Sequence, residues 1–171
     1  MAMYLDIIGI PGESKSPNPD WKQKIEVQSA GYDVSQTTSL EAGSGLIASG
    51  AVFGSLQITK AMDKSTPLLF GKLAGGEPID TVTLRVSRPG ASTTGPQGGL
   101  FEAETYTLQN VIITSYHTSG TPGPGGLPLE SWSLAFTSVV EKFLTVDPQG
   151  NLQPAQSAGY NIAGGTPIQG L

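Results

Sequence analysis

Cysteine is absent from the 171 residues, and histidine occurs only once. Disulfide bonds and thiolate chemistry are therefore excluded, and the redox compartment stays open. Only 13% of the residues are charged, where globular domains average about 25%, so we expect few surface ion pairs. Aromatic residues make up 7%, which disfavours a carbohydrate-binding β-sandwich with an exposed aromatic face.

Basic clusters and long apolar runs are also missing. The formal net charge of -5 disfavours nucleic acid as a partner, because phosphates require clustered basic side chains. No apolar run approaches the roughly 20 residues of a membrane span, so membrane insertion is not expected. The first residues, MAMYLD, have neither the basic region nor the apolar run of a secretory signal peptide. Export would therefore need a route without a cleaved signal.

Glycine and proline are abundant instead, with 23 and 13 residues, and alternating apolar segments lie between them. This pattern is typical of a β protein with many turns rather than of a disordered chain. A chain of this length usually folds as one domain and buries about 70% of its unfolded surface. We expect one domain over residues 1–171, with an extended loop at 37–50 and a polar C-terminal tail at 147–171.

Several segments alternate between apolar and polar residues as strands do. The clearest is DTVTLRVSR at 80–88, with Val82, Leu84 and Val86 predicted to face inward. A change of parity after Leu108 predicts a bulge near Asn110 in the next long strand. Further strands are predicted at 4–10, from 25 towards 36, at 51–59, at 104–116 and at 130–144. An antiparallel barrel or a two-sheet sandwich with a helix over one end or face accommodates these elements.

One short helix is predicted directly after the strand at 51–59. Side-chain oxygens that can accept from its first N–H groups, and a proline suited to its first turn, are supplied by Asp63, Ser65, Thr66 and Pro67. Gly75 and Gly76 supply a left-handed stop. The apolar side chains that we expect to plug the barrel are Leu68, Leu69, Phe70 and Leu73.

Two segments leave their structural role open. Residues 37–50 are rich in Thr, Ser, Gly and Ala and carry one charge, and they form either a flexible surface loop or an arm that orders against a partner. Leu40, Leu46 and Ile47 favour the arm, because they would be exposed apolar surface on a free loop. Trp21 follows a proline-rich loop and is interpreted as a partly exposed anchor.

No constellation for catalysis or metal binding is evident. His117 stands at a strand end without a nucleophile elbow or a neighbouring carboxylate, which disfavours a small secreted hydrolase. Glu102 and Glu104 share one face of a strand and are interpreted as a solvated stripe. We therefore predict no enzyme activity, no catalytic residues, no bound metal and no cofactor.

Residues 58–69, ITKAMDKSTPLL, resemble the TK-x-x-D-K-[ST]-[ST]-P-x-L signature of the Hcp family. Hcp is the haemolysin-coregulated protein, the tube subunit of type VI secretion. Other stretches resemble the family in the expected order, namely IIGIPGES at 7–14, IEV at 25–27 with VSQ at 34–36, YTLQNVIITSY at 106–116, ESWSLAFT at 130–137 and GYNI at 159–162. The resemblance spans nearly all of the chain.

The resemblance implies an antiparallel β-barrel of two packed sheets with one short α-helix, as in the tail-tube proteins of contractile phages. It further implies hexameric rings that stack into a hollow tube, a spike at the tube tip, a contractile sheath and effector proteins carried in the lumen. Such a subunit is cytoplasmic before firing and is then secreted. The alternative is a tail-tube protein of a contractile phage or phage-like particle.

The resemblance also suggests which residues meet partners. Family members often carry W-S-W-G where this chain has AGYD at 30–33, on a strand that contributes to the lumen wall. Lumen-facing residues are then Ser29, Gly31 and Asp33, which would make the wall smooth and acidic. Candidates for the ring and stacking interface are Leu40, Glu41, Leu46, Ile47, Lys64 and Lys72.

Overall fold

The computed structural model describes residues 1–16, 18–43, 45–89, 100–147 and 153–168. The described part consists mainly of antiparallel strands, with one α-helix and a 3-10 turn at Pro124–Gly126. In chain order the elements are β1 Ala2–Ile7, β2 Ile25–Val27, β3 Ser29–Gly31, β4 Val34–Glu41, β5 Gly45–Phe53, β6 Leu56–Ala61, α1 Thr66–Gly75, β7 Ile79–Pro89, β8 Leu100–Pro122, β9 Pro128–Ala135, β10 Ser138–Phe143, β11 Gln156–Asn161 and β12 Thr166–Ile168.

Two sheets share the long strand β8. One runs in the order β12-β11-β10-β8-β7-β1-β2, and the other in the order β3-β6-β9-β8. The strands β2 and β3 follow each other along the chain, but they pair with β1 and β6 respectively and not with each other. The expected two packed sheets with one helix are confirmed, but the sheets do not close into a barrel.

The strand β8 changes sheet at a left-handed residue. Up to Val111 it pairs with β7 and β10, and from Ile112 onward it pairs with β9. Asn110 has φ 48°, a left-handed conformation that Asn tolerates better than most residues. Leu108 and Val111 are both fully buried on either side of it, so the predicted change of parity is confirmed.

The core lies between the two sheets. The inward parity predicted for β7 is confirmed, since Val82, Leu84 and Val86 are at most 5% exposed. Both sheets and the helix contribute apolar side chains to one cluster, which includes Leu5, Ile25, Ile58, Leu69, Leu108, Trp132 and Leu134. At about 25 cal/mol per Å² of apolar area, burial of this cluster is the main favourable term of folding.

Trp21 is buried, which contradicts its prediction as a partly exposed anchor. Its ring is 2% exposed and stacks on Tyr4 at a centroid distance of 5.6 Å. The segment before it turns back on itself, because the Trp21 N–H donates to the carbonyl of Asn18. The proline-rich loop therefore folds over the sheet and places the indole in the core rather than holding it out.

One predicted strand is divided in the structure, and two segments without an assigned element are now defined. The segment predicted as one strand at 130–144 divides into β9 and β10, because Thr137 turns and donates its N–H to the carbonyl of Gln109. The described part of the predicted polar tail forms β11 and β12, which extend the first sheet. Gly159 allows β11 to approach, since a side chain there would lie 2.9 Å from a Val140 methyl. For residues 37–50, the sequence leaves two alternatives open, and the described residues lie in the paired strands β4 and β5 and their turn, which leaves the arm as the prediction.

The helix α1 begins and ends near its predicted bounds but buries less than predicted. Gly76 ends it in the left-handed conformation, with φ 62°. Leu69 is buried and Leu73 packs partly against the core, whereas Leu68 and Phe70 are 45% and 52% exposed. Residues four apart share a helix face, so the Leu69 and Leu73 side faces the core, and the Phe70 ring makes one edge contact with Tyr116 of β8. The prediction that all four apolar side chains plug the core is wrong.

Gly12 lies in the loop that packs against the start of β2, and Gly71 lies on an open side of α1, so together they provide a matched test of how closely that loop packs. A Cβ at Gly12 would lie 2.3 Å from the Lys24 carbonyl oxygen and 2.4 Å from the Ile25 Cα, whereas one at Gly71 meets nothing within 4 Å. Gly12→Ala should lower the free energy of unfolding by about 1–3 kcal/mol through overpacking. Gly71→Ala should raise it by about 0.5–1 kcal/mol through helix propensity. Urea-induced unfolding followed by circular dichroism measures both, and equal effects would contradict this packing.

Candidate assembly site

The strands β4 and β5 form a two-stranded hairpin that belongs to neither sheet. Their direct pairs include Val34 with Phe53 and Leu40 with Leu46, and the register shifts between Gln36 and Thr38. The hairpin therefore contains the residues that the sequence offered as an extended arm. Their β-propensity is moderate, and backbone hydrogen bonds hold the two strands together.

One face of the hairpin is apolar. Directly opposed residues point to the same side of an antiparallel pair, and alternate residues along a strand share that side. On β4 and β5 this places together Val34, Gln36, Thr38, Leu40, Leu46, Ala48, Ala51 and Phe53. The opposite face carries Ser35, Thr37, Ser39 and Glu41 beside Ile47 and Val52. The predicted interface residues Leu40 and Leu46 thus form one pair, and Ile47 lies on the other face.

The apolar face is open to solvent. Leu40 is 80% exposed, Leu46 is 72% exposed and Val34 is 50% exposed, although Phe53 is half-buried. An isolated two-stranded hairpin is at best marginally stable in water. Exposed contiguous apolar side chains of this kind mark interaction surfaces. The hairpin is therefore the strongest candidate for contact with another chain.

Aromatic side chains fix the base of the hairpin. Phe53 stacks on Tyr160 of β11 with ring centroids 5.3 Å apart. Just before β4, the Tyr32 ring packs edge-on against the rings of Tyr106 and Phe136, with a centroid distance of 5.9 Å to each. The Tyr32 hydroxyl donates to Glu141 Oε1 at 2.8 Å. The hairpin is thus anchored to the sheets through Tyr32 and Phe53, and we call these two residues the hairpin root.

A cavity of about 520 Å³ opens beside this root. Its wall contains the rings of Tyr32 and Tyr106 and the carboxylates of Glu104 and Glu141. Burial raises the pKa of both tyrosines well above the usual range, and hydrogen bonds to Glu141 and Glu104 raise each pKa further. Both tyrosines therefore stay protonated and donate to the carboxylates at physiological pH.

A buried ion-pair cluster ties the helix start to the second sheet. Lys60 Nζ lies 2.6 Å from Glu130 Oε1 and 2.7 Å from Asp63 Oδ1, and the side chains of Lys60 and Glu130 are fully buried. The Lys60 ammonium also donates to the Ala61 carbonyl at 3.0 Å and to Thr66 Oγ1 at 3.2 Å. Lys60 and Glu130 are direct partners in the register of β6 and β9.

The predicted cap residues belong to this cluster, but they act differently than predicted. Ser65 is the N-cap residue, and its side chain makes no hydrogen bond to the first helical turn. Its hydroxyl and its N–H both donate to Asp63 Oδ1 instead. The Thr66 hydroxyl donates to Glu130 Oε1 at 2.7 Å and accepts from the Asp63 N–H. Pro67 lies in the first turn, as predicted. These residues therefore fix the connection from β6 to α1.

The structure does not gather all predicted interface residues. Lys64 is exposed just before α1, and its N–H donates to Glu13 Oε1. Lys72 lies in the last turn of α1 and pairs with Glu77 at 2.6 Å, which lowers the pKa of that carboxyl. Glu41 ends β4 at the hairpin tip. Lys64 and Lys72 thus flank the helix, away from the hairpin strands.

The three predicted lumen residues do share an environment. Ser29, Gly31 and Asp33 are all exposed, and they alternate with Ala30 and Tyr32, which pack against the core. The strand β3 pairs with β6 only, so its other edge is open. Ser29 and Gly31 therefore lie on one exposed side of the edge strand β3, and Asp33 continues that alternation in the segment before β4.

The carboxylate stripe predicted on β8 is wrong. Glu102 pairs with Arg85 at 2.7 Å, and its other oxygen accepts from Thr105. Glu104 shares the face of Tyr106 and lines the cavity, because a register shift opposite it separates the two glutamates. His117 is exposed on β8 opposite Ser131. Within the described ranges, no group of three or more His, Cys, Asp or Glu could hold a metal ion.

The ion-pair cluster could have been predicted from the sequence by the alternation of β6 and β9. Lys60 continues the inward alternation of Leu56 and Ile58, and Glu130 continues that of Trp132 and Leu134. A charged residue at an inward position on each of two strands predicts a buried pair, since such residues are rarely buried alone. The cavity had no comparable signal, because its wall comes from seven strands and the segment between β3 and β4.

An exposed apolar hairpin, an open sheet edge and a rigid core define a β-sheet subunit built for contact with other chains. Residues 4–143 match the model of a family described as type VI secretion system effector, Hcp. Since this match covers most of the chain, the protein belongs to the Hcp family. It is a tube subunit of the type VI secretion system, and its family is structural rather than enzymatic.

Solved structures agree with this assignment. The chain is similar to a structure described as a type six secretion system protein, with a TM-score of 0.85 at 22% identity, covering 98% of this chain and 99% of the other. It is also similar to Hcp1 from Salmonella typhimurium, with a TM-score of 0.74 at 26% identity and 98% of each chain covered. A type VI effector from Yersinia pestis gives a TM-score of 0.66 at 23% identity, covering 93% and 98%.

No curated protein matches the sequence. In the described part of the chain, no helix is long and apolar enough to cross a membrane.

Removal of Lys60 tests the ion-pair cluster. Lys60→Met leaves the Glu130 carboxylate buried without its cation and should lower the free energy of unfolding by about 3–5 kcal/mol. The control Lys72→Met breaks the partly exposed pair with Glu77 and should cost at most about 1 kcal/mol. The double variant Lys60→Met/Glu130→Leu should recover part of the loss, because it removes the buried charge. Chemical denaturation measures all three, and equal losses for the two single variants would refute the cluster's role.

Proposed function

We propose that this tube subunit forms hexameric rings, which stack into a hollow tube that sheath contraction expels. The observation that carries the proposal is the exposed apolar face of the β4–β5 hairpin, anchored at its base and unpartnered within the described chain. We take residues 1–171 as one tube domain, cytoplasmic before firing and then secreted. The spike and the sheath are its expected partners at the tip and the outer face.

The hairpin supports contact between copies. Burial of its Leu40 and Leu46 side chains at a contact is favourable, because both are apolar and largely exposed to water in the single chain. The tip has a single charged residue, Glu41, so removing water from the hairpin costs little free energy. We therefore assign the hairpin to the contact between one ring and the next.

Ring closure requires two different complementary surfaces on each subunit. Head-to-tail contacts of this kind generate closed cyclic rings when the rotation closes. The open edge of β3 is a surface where strands from neighbouring chains can pair, and such edges are hazardous unless covered. If a neighbouring subunit covers the open edge of β3 in the ring, the hazard of an exposed edge is removed.

The exposed groups of β3 and the helix fit the remaining partners. Ser29 and Gly31 would give a lumen wall without bulky side chains, and Asp33 would make it acidic, which suits basic patches on carried effectors. The exposed groups on and beside α1, which include Lys64, Phe70 and the partly exposed Lys72, are available to the sheath. A tail tube of a contractile phage or phage-like particle remains the second candidate, and genes for a spike, sheath and ATPase beside the gene would distinguish them.

Deletion of residues 39–47 tests the hairpin. Thr38 and Ala48 are already direct partners, so an Asn-Gly turn between them preserves a shortened hairpin. Light scattering after size exclusion should show about six subunits for both the full chain and the deletion variant. Electron microscopy should show tubes only for the full chain. Tubes from the deletion variant would contradict the stacking role, and a full chain that stays monomeric at high concentration would contradict the ring.

A milder pair of variants separates the two hairpin faces. Leu40→Ser/Leu46→Ser changes the apolar face, and Ser35→Ala/Ser39→Ala changes the opposite face without altering charge. Only the first pair should shorten or abolish tubes in electron micrographs, because only it removes apolar area from the contact. Equal effects of the two pairs would show that the faces do not differ in function.

A further inference from the structure

The cavity beside the hairpin root has the lining of a site for an organic cation. Its volume of about 520 Å³ falls in the range of ligand pockets. Its lining combines apolar side chains, among them Met3, Leu56, Leu84 and Val86, with the two tyrosine rings. Aromatic faces and carboxylates together attract an ammonium or guanidinium group, particularly where water is partly excluded.

The two carboxylates stand where the core-facing pattern calls for apolar residues. Glu104 precedes Tyr106 by two residues on β8, and Glu141 is the direct partner of Tyr106 across β10. The lining contains no Lys or Arg side chain. Met1 is at the rim, 79% exposed, and no ion pair of the described residues joins its ammonium to either glutamate. The cavity therefore has two negative charges and no cationic side chain of its own.

Cations without carboxylate partners are found at the other end of the sheets. Lys15 and Lys22 are exposed in the segment between β1 and β2, and Lys64 stands next to that segment through its contact with Glu13. None of these three lysines forms an ion pair within the described part of the chain. Lys142 and Arg88 also lack one among the described residues, but they belong to the cavity end, because Lys142 neighbours Glu141 and Arg88 lies over the Phe143 ring, two residues beyond Val86 on β7.

The strand β1 separates the two groups. It starts at Ala2, next to Met1 and Met3 of the cavity, and it ends at Ile7, where the lysine-bearing segment begins. Six residues of strand span about 20 Å, too far for a lysine to reach the cavity of its own chain. Complementary groups at opposite ends of one chain are what a head-to-tail contact between copies requires.

We propose that this cavity receives the side chain of Lys15, Lys22 or Lys64 from a second copy of the chain, with the ammonium group beside the two tyrosine rings and the carboxylates of Glu104 and Glu141. The inference rests on the proposed assembly and names one of its contacts. It differs from the hairpin contact, because it depends on charge and therefore weakens with salt. The hairpin contact is apolar and does not.

Charge reversal at Glu141 tests the contact. Glu141→Lys places a cation in the cavity and should raise the concentration needed for assembly by about tenfold or more at low salt, the change expected for one lost close ion pair. The control Asp80→Lys makes the same change of net charge on β7, at an exposed residue that lines neither this cavity nor the pocket of Lys15, and should assemble like the unsubstituted chain. Circular dichroism and thermal unfolding confirm that both variants are folded.

Restoration in the same chain identifies the lysine. One of Lys15→Glu, Lys22→Glu or Lys64→Glu, combined with Glu141→Lys, should restore assembly, because the charges are then exchanged across the contact. The inference is overturned if Glu141→Lys assembles normally, or if none of the three double variants restores it. These results concern the cavity alone, provided the unsubstituted chain assembles. A monomeric unsubstituted chain would refute the proposed ring as well.

Discussion

A buried cation joins three elements of this fold, and the rest of the structure depends on it. Lys60 extends from β6 into the core, where Glu130 of β9 and Asp63 before the helix neutralise it. An ammonium group at this position is tolerated only if the geometry of its partners is satisfied, so any slip of β6 against β9 would leave charges buried alone. The cluster thereby sets the register of the second sheet and the point at which α1 starts. Apolar packing supplies most of the stabilisation, but it does not select one register as sharply.

Local pattern predicted the parts of the fold that are determined by contacts along one strand or one helix turn. Alternation predicted the inward side chains of β7, Gly76 ended the helix as expected, and the change of parity in β8 appeared at Asn110. Predictions failed where a distant element decided the outcome. Trp21 is buried because its loop folds back onto Tyr4, and Phe70 is exposed because the sheets present room for only one side of the helix.

The candidate site was predictable in part for the same reason. The sequence identified Leu40 and Leu46 as apolar side chains that a free loop would expose, but their pairing on one face depends on the register of the hairpin. The cavity could not be identified from sequence, because Glu104 and Glu141 are far apart along the chain and meet only through the pairing of β8 with β10. The resemblance to the Hcp family gave the architecture, whereas the positions of these surfaces required coordinates.

The strand β8 has a mechanical consequence. Because its 23 residues run through both sheets without a break in the backbone, a load applied to one sheet reaches the other along covalent bonds. Sliding β8 against its neighbours would have to break many hydrogen bonds at once, as in shear, rather than one after another as in unzipping. In the proposed tube, expulsion by the sheath would apply such loads along its length. One continuous strand therefore lets each subunit transmit thrust as a stiff unit, with the left-handed turn at Asn110 as the bend in the load path.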